Sequence, residues 1–439
     1  MTRTRRFSTL AWNLGGQGGS ALFGLLLVKL SVSNFSVSAY GIASLLLGLQ
    51  LLVRNTALNP LLNLAIYASP GEDMRHGLGW VYHATARCLR ASAPLALALF
   101  PLLIWGLRIP AGQILAAGAL LTLLLLSEAF KSAWFNLLHC RDRARRYAIW
   151  ILLDAASKPA AIYLAARSTA PHGALLLVAA QTAASLAILA ISTLDKRITE
   201  LRAEMPPTVA PPPAATAWIA SHSTFLLPLV GVGLTGWITG LSDRYLVNHF
   251  LGAGPAGLYA GIYGLFSAPF LIAGGAMILA VRPALLRLES EKRTEAWRDL
   301  HLRSLIAMAG GLGAMALLLF TIRTPLVRLV LAPAYLQAMP VVPGLLIGNS
   351  ILALGTFLEQ IFYVRRRTSL VLVKQMTGSA CALAFVALAI PRWGLQGAGW
   401  ACSIYTSVEF LVGLSLVRFV LATNFQKETV DPLPNNGQN

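Results

Sequence analysis

Long apolar stretches follow one another along almost the whole chain, separated by short polar connections that are rich in arginine. A helix of about 20 apolar residues crosses the roughly 30 Å hydrocarbon core of a bilayer. A run such as Leu115–Leu126 is apolar on every side, whereas a strand of a membrane barrel alternates polar and apolar residues. The pattern therefore predicts an all-α polytopic membrane protein. We expect about twelve transmembrane helices, near residues 11–33, 39–66, 89–107, 112–136, 147–166, 174–194, 219–242, 256–280, 304–322, 341–363, 369–390 and 396–418.

Composition supports the same class of protein. Of the 439 residues, 56% are hydrophobic and only 12% are charged, and the mean hydropathy is +0.66. A soluble globule cannot bury that much apolar surface, so many of these side chains must face lipid. The four cysteines have no metal-binding spacing and predict neither a metal site nor a disulfide framework; they are Cys88, Cys140, Cys381 and Cys402.

The positive charge is distributed unevenly between successive connections. With the N-terminus inside, the predicted cytoplasmic connections hold 24 Lys and Arg residues and the opposite connections hold 6. Cationic flanks are retained on the cytoplasmic side during insertion, so both termini are predicted to be cytoplasmic. This asymmetry, together with attraction to anionic membrane lipids, accounts for most of the net charge of +18. Nucleic acid is therefore not expected as a partner.

One segment interrupts the apolar pattern: residues 195–217 are first charged and then proline-rich, which is typical of a linker. It separates a predicted N-terminal six-helix lobe at 1–194 from a C-terminal six-helix lobe at 218–421, and a polar cytoplasmic tail follows at 422–439. Short motifs recur in the same order in both halves at offsets of 216, 223 and 224 residues. The chain is therefore predicted to contain two related bundles.

Several short motifs resemble those of a known family. They are Asp243–Gly252, Gly257-Leu258-Tyr259, Tyr263-Gly264-Leu265 with Pro269, the block from Asn13-Leu14 to Tyr40-Gly41, Tyr335–Pro343 and Arg392–Gly399. The stretch from Asp243 to Pro269 resembles the seventh-to-eighth-helix signature of the Wzx-type bacterial polysaccharide flippases. These share a superfamily with the multidrug and toxin extruders and the lipid II flippase. The motifs are mostly Gly, Tyr and small residues at helix ends, so they indicate a fold more than a substrate.

The resemblance implies two pseudo-symmetric six-helix lobes that face each other across a central cavity and open it first inside and then outside. It implies a transporter rather than an enzyme, placed in the bacterial inner membrane. The implied substrate is an undecaprenyl-diphosphate-linked oligosaccharide for O-antigen, capsule or exopolysaccharide synthesis. A polysaccharide polymerase and a chain-length regulator are expected partners on the same ground. No cofactor is expected, apart from a coupling proton or sodium ion.

Ionisable residues inside the predicted spans mark a candidate site, because a charge that faces lipid costs at least about 3 kcal/mol. Arg54 stands near the middle of the second span with no acid within four residues, and its planar donors suit a phosphate. Lys374 also lacks an acid close in sequence. Lys29 lies toward the outer end of the first span, where it could bind substrate or simply reach the interface. We predict these three cations as substrate-binding residues.

The family motif adds four candidates. Asp243 and Arg244 stand at the outer end of the seventh span and could contact substrate or form a helix-end pair. Tyr259 and Tyr263 could stack on sugar rings or pack within the protein.

Acidic residues inside the spans form a third group. Glu128 and Lys131 stand at i,i+3, and Asp154 and Lys158 at i,i+4, so each pair can neutralise itself on one helix face. Asp154, Lys158 and Glu409 are therefore predicted to be either structural charges or an ion-coupling site.

These carboxylates leave a second function open, an ion-coupled multidrug exporter of the same fold, which would favour acids in its cavity. A membrane-embedded glycosyltransferase or polymerase is disfavoured, because the longest outer connection is about twenty residues and has no paired carboxylates. The chain also has no phosphate loop, zinc spacing or nucleophile triad.

The predicted orientation can be tested by labelling single cysteines in intact cells. Asn34 and Ser168 lie in predicted outer connections and Ser290 in an inner one. Because a membrane-impermeant maleimide reaches only the outer face, N34C and S168C should be labelled and S290C should not. External labelling of S290C would overturn the orientation.

Overall fold

The computed structural model describes residues 3–64, 78–140 except 106 and 108, 144–168, 173–195, 215–365 and 367–430. This part of the chain is helical apart from short turns and contains no strand. Ten of its helical stretches are long and apolar enough to cross a membrane. The chain is therefore an all-α, multi-pass membrane protein, and the predicted class is confirmed.

The long helices of the described part follow the predicted order of the spans. The first ten are α1 (Arg3–Asn34), α2 (Val37–Leu64), α3 (Leu78–Trp105), α4 (Ala111–Cys140), α5 (Ala144–Ala166), α6 (Ala174–Thr193), α7 (Ser223–Leu251), α8 (Ala253–Ser290), α9 (Thr294–Thr321) and α10 (Val342–Leu358). A backbone break at Gly394 divides the stretch Thr368–Val430 into two helices, α11 before Gly394 and α12 after it. Short helices cover Ala215–Ser221, Arg323–Val330, Pro333–Val341 and Gln360–Val364. The ten apolar stretches omit α1 and count α11 and α12 together, which reconciles them with twelve predicted spans.

Local sequence explains several helix ends. Ser36 caps α2, because its hydroxyl accepts a hydrogen bond from the backbone N–H of Ala39 at 3.2 Å. Gly252, between α7 and α8, has a φ of 93°, and Gly394 has a φ of 58°. Residues with a Cβ rarely adopt this left-handed region, so glycine at these two positions allows one helix to follow another almost directly.

The buried hydrophobic side chains form two large cores. One consists mainly of residues of α2, α3, α4 and α6. The other consists mainly of residues of α8 to α12, and Val32 of α1 reaches into it. Each core lies almost wholly within one half of the chain, which is the arrangement expected of two six-helix lobes.

The lobes meet along α2, which packs on α7 and α8 of the other half. Near the beginning of α2, Gly41 lies so close to Gly257 of α8 that a Cβ on either glycine would overlap the facing backbone. Further along, the indole Nε1 of Trp237 on α7 donates a hydrogen bond to the carbonyl of Gly48 at 2.7 Å. The contact therefore combines glycine-mediated backbone approach with a directed hydrogen bond.

Two predicted boundaries fall partly outside the described residues. Of the predicted linker at 195–217, residues 196–214 lie outside them, and so do residues 431–439 of the tail. The stretch that contains α12 continues to Val430, so the segment predicted as a tail from residue 422 begins as helix.

The lobe contact predicts a cross-link between the first turns of α2 and α8. A Cβ at Gly254 would lie 3.6 Å from the Ser38 Oγ, so sulfur atoms on these two residues would be within reach of each other. In a protein whose native cysteines are replaced by serine, S38C/G254C should therefore form a disulfide under mild oxidation. With a protease site inserted in residues 196–214, the cleaved halves should run together on a gel until a reductant is added.

The control pairs S38C with G275C, on the same helix α8, because a Cβ at Gly275 would have no heavy atom within 4 Å. Halves that separate without reductant in S38C/G254C would contradict the lobe contact.

Candidate functional site

A cavity of about 450 Å³ lies in the N-terminal lobe between α1, α2, α4 and α5. This volume is within the range of small-molecule sites, about 300–1,000 Å³. The polar part of its wall consists of Ser20, Arg54, Asn59, Asn63, Glu128, Lys131, Ser132, Tyr147, Asp154 and Lys158. The cavity therefore brings together, from separate helices, most of the charges that the sequence places inside the N-terminal spans.

Glu128 is the centre of this group. Its Oε1 accepts a hydrogen bond from Lys131 Nζ at 3.2 Å and forms an ion pair with Lys158 Nζ at 3.0 Å. Its Oε2 lies 3.5 Å from Arg54 Nη1. Ser185 Oγ, on α6, also donates to Oε1 at 3.3 Å. One carboxylate thus stabilises three cations from three helices, and its contact with Arg54 is the longest of the three.

Asp154 completes the group as the second acid. It forms ion pairs with Lys131, through a short contact, and with Lys158 Nζ at 3.6 Å. Three cations stand against two carboxylates, so the cluster has one positive charge in excess when every group is ionised. The side chains of Arg54 and Lys158 are 27% and 24% exposed, whereas that of Lys131 is 1% exposed. The excess charge is therefore presented to the cavity by Arg54 and Lys158.

An unusual backbone turn sets the position of Arg54. Residues Arg54–Leu58 form a π-helical turn within α2. Such turns are rare and frequently occur at functional sites. From this turn Arg54 Nη2 donates to Ser132 Oγ at 3.2 Å while Nη1 approaches Glu128. The remaining guanidinium donors leave capacity for another acceptor.

The C-terminal lobe contains a second charged cluster with the opposite balance. Lys374 Nζ donates to Glu359 Oε1 at 2.8 Å and to Glu409 Oε1 at 2.7 Å. All three residues are buried. Gln375 Nε2 donates to the same Glu359 oxygen at 3.3 Å. Two carboxylates stand against one cation, and Glu409 Oε2 has no hydrogen-bond partner among the described residues.

Asp243 and the two tyrosines lie in the packed interior of the C-terminal lobe. Asp243 accepts a hydrogen bond from the Tyr259 hydroxyl at 2.6 Å and one from the backbone N–H of Arg244 at 2.7 Å. Tyr259 and Tyr263 are buried, with ring centroids 5.9 Å apart. Both rings belong to the buried hydrophobic core of this lobe and neither lines the 450 Å³ cavity, so the geometry supports packing for them rather than sugar stacking.

Arg244 has a different environment from Asp243. Its guanidinium lies over the Tyr263 ring, 5.1 Å from the centroid. Although it belongs to α7, it lines a second cavity of about 220 Å³ whose other wall residues come from α1, α2 and α6. Leu27 borders both cavities, so the two lie next to each other along α1.

Lys29 stands apart from both charged clusters. It is exposed on α1, and within the described part of the chain no hydrogen bond or ion pair holds it.

Two sequence-based expectations change in the folded chain. Arg54 and Lys374 have no acid nearby in sequence, but α4 supplies Glu128 to the first. The residue directly after α10, Glu359, and Glu409 of α12 face the second. The two intrahelical pairs are present, yet contacts between helices join them into one cluster. Exchanging the charges of Asp154 and Lys158 would therefore place lysine beside Lys131 and a carboxylate beside Glu128, so the pair is not self-contained.

The structure also adds residues that the sequence did not single out as a site. Ser132, Asn59 and Asn63 line the cavity, and Glu128 and Glu359 organise the two clusters. Glu128 and Glu359 were visible as acids within spans, but Ser132 carried no signal, because serine is common where membrane helices contact each other.

Three solved structures are similar to this chain over nearly their whole length. An inward-facing MATE multidrug transporter of the MOP superfamily superposes with a TM-score of 0.67 at 14% identity, covering 94% of this chain and 95% of its own. The MATE multidrug transporter DinF-BH in complex with R6G gives 0.67 at 12% identity, with 95% and 96% covered. Lipid II flippase MurJ in an inward closed conformation gives 0.64 at 15% identity, with 96% and 93% covered.

No protein-family profile and no curated protein sequence matches this chain. Identities of 12–15% with the solved structures establish the fold alone. On that basis, the chain has the helical fold that MATE multidrug transporters share with the lipid II flippase MurJ.

Proposed function

We propose that this protein is a flippase that carries an undecaprenyl-diphosphate-linked oligosaccharide across the bacterial inner membrane by alternating access. The observation that supports this most directly is the excess positive charge of the N-terminal cavity, to which Arg54 and Lys158 contribute partly exposed cations. An anionic head group is the class of ligand that such a cavity stabilises, because anion and site neutralise each other in a low-dielectric environment.

The diphosphate is the part of the substrate that most needs this site. Its charge cannot enter hydrocarbon unassisted, whereas the polyprenyl chain can remain in lipid beside the helices. Arg54 is suited to receive it, since its contact with Glu128 is long at 3.5 Å and its planar donors match two phosphate oxygens. Asn59, Asn63 and Ser132 supply uncharged hydrogen-bonding groups for the adjoining sugar.

The lobe contact supports a state of the cycle that is closed on the outside. α2 and α8 both begin on the side predicted to be extracytoplasmic, and they touch there through Gly41 and Gly257. The 450 Å³ cavity lies in the half of the membrane predicted to be cytoplasmic. Arg244, in the adjacent outer cavity, is the candidate to receive the diphosphate when the lobes part, and exposed Lys29 is a candidate near the exit.

The C-terminal cluster is the candidate site for a coupling ion. With both carboxylates ionised, Lys374, Glu359 and Glu409 have one buried negative charge in excess. The lysine ammonium occupies the place between the carboxylates that a sodium ion would need. A proton on the unpartnered Glu409 Oε2 would neutralise the cluster without displacing Lys374, so we propose a proton as the coupling ion.

An ion-coupled multidrug exporter remains the alternative, and one observation favours it. Glu128 and Asp154 place two carboxylates in the cavity wall, and these would attract an organic cation if Arg54 or Lys158 turned away. Two of the similar structures are named as multidrug transporters. Export assays with cationic dyes distinguish the alternatives.

Replacing Arg54 tests the proposed role most directly. R54A removes the charge and the planar donors, so binding of undecaprenyl diphosphate should weaken about 10- to 100-fold, as expected for hydrogen bonds to a charged group. R54K keeps the charge without the bidentate geometry and should recover only part of the affinity. Glycan export per inserted molecule should follow the order wild type, R54K, R54A.

The control is R303A, which removes an exposed arginine that pairs with Asp299 on the same helix. If R54A lowers abundance and R54K restores both abundance and export, Arg54 serves only to balance Glu128. A fully active, normally inserted R54A would remove Arg54 from the site.

The proposed coupling ion predicts a separate effect for Glu409. E409Q keeps the shape of the side chain and removes its charge, so transport in proteoliposomes should no longer respond to an imposed pH gradient. The variant should still bind undecaprenyl diphosphate, because the residues of the N-terminal cavity are unchanged. E291Q, an exposed glutamate at the turn between α8 and α9, is the control. Transport that follows a sodium gradient and ignores pH would show that the proton assignment is wrong.

A further inference from the structure

The π-helical turn that positions Arg54 rests against the opposite lobe. Gly233, on α7, faces the peptide between Asn55 and Thr56 of that turn. A Cβ at Gly233 would overlap the Asn55 carbonyl oxygen, and it would lie 2.7 Å from the Asn55 carbonyl carbon. Because glycine has no side chain, the backbone of α7 at Gly233 therefore packs directly against the turn that contains Arg54.

A π-turn needs support of this kind. It accommodates one residue more than an α-helical turn and is rarely favourable by itself. If the contact with Gly233 were lost, α2 could return to regular α-helical geometry at this point. One residue corresponds to about 100° of rotation around a helix axis, so the parts of α2 before and after the turn would rotate against each other, and Arg54, at their junction, would shift relative to Glu128 and Ser132. The turn thus has two alternative geometries that present Arg54 differently.

The other side of α7 contacts the second charged cluster. Thr235, two residues after Gly233, donates from its Oγ1 to Gln375 Oε1 at 3.1 Å. Gln375 in turn donates to Glu359, the carboxylate that accepts from Lys374. One helix therefore contacts the Arg54 turn on one side and the Lys374 cluster on the other, through residues only two positions apart.

We propose that Gly233 is a positioning residue for Arg54: its contact holds the π-turn while the lobes meet, and release of this contact lowers the affinity of the cavity for a diphosphate. Movement of α7 away from this turn then weakens the anion site. This rests on the proposed function, because it assumes that Arg54 binds the diphosphate. It adds that anion affinity depends on the lobe contact.

The test uses the full-length protein in nanodiscs, with undecaprenyl diphosphate as the probe. G233A should weaken binding about tenfold or more, approaching the loss in R54A, because the added methyl group displaces the turn. G236A is the matched control on the same helix, since a Cβ there has no heavy atom within 4 Å. It should bind like wild type.

A double variant separates positioning from general damage. If Gly233 acts through Arg54, then G233A/R54A should bind no more weakly than R54A alone. If the losses add, Gly233 affects the protein by another route, and the proposal is overturned.

A second variant addresses the case in which G233A forces the lobes apart. Deleting Ala57, an exposed residue of the π-turn, removes the extra residue of the turn and leaves Gly233 unchanged. Binding should fall as in R54A, while S38C/G254C introduced into the deletion variant still forms its disulfide. Binding of the deletion variant at wild-type affinity would overturn the proposal.

The outcomes also separate this inference from the proposed function. If R54A itself binds the probe like wild type, the proposed role of Arg54 fails, and the positioning role fails with it. If R54A binds weakly while G233A or the deletion of Ala57 binds like wild type, the anion site stands and only the positioning role is wrong.

Discussion

Charge inside a membrane protein must be paired with other groups or face a water-filled cavity, and the arrangement of both lobes depends on this constraint. In the N-terminal lobe Glu128 stabilises Arg54, Lys131 and Lys158 together. In the C-terminal lobe Lys374 stabilises two buried carboxylates. Removing the central residue of either cluster would leave like charges in a low-dielectric interior, and breaking a buried pair in this way costs about 3–5 kcal/mol. These two clusters hold helices together that apolar packing alone would not orient.

The two clusters have a similar arrangement of residues, but their excess charges are opposite in sign. In each lobe a lysine on the fifth helix pairs with a glutamate on the fourth or directly after it, at 3.0 Å for Lys158 and Glu128 and at 2.8 Å for Lys374 and Glu359. The N-terminal lobe then adds further cations and one acid, whereas the C-terminal lobe adds Glu409 alone. Similar pairs of a lysine and a glutamate thus belong to a cluster with an excess of cations in one lobe and to a cluster with an excess of carboxylates in the other.

Helix α7, at the contact between the lobes, touches elements of both charged clusters. α7 touches the turn that carries Arg54 through Gly233, and it reaches the Lys374 cluster through Thr235. A transporter that moves an anion against or with an ion needs its two sites to influence each other through an element that moves between states. A helix at the lobe boundary, packed against both sites, is suited to that requirement.

The sequence by itself determined the class, the order of the spans and the approximate number of helices, because apolar length and charge asymmetry are local properties of the chain. It also identified Arg54, Asp154, Lys158, Lys374 and Glu409 as unusual, since a charge in an apolar run is visible without a fold. Only the tertiary structure decided which acid faces which cation: Glu128 lies 74 residues from Arg54, and Glu359 faces Lys374 from the end of the preceding long helix. It likewise placed Tyr259 and Tyr263 in the packed interior and packed the turn at Arg54 against Gly233. Partners across helices depend on packing angles and on the turn geometry of α2, which no local pattern of residues specifies.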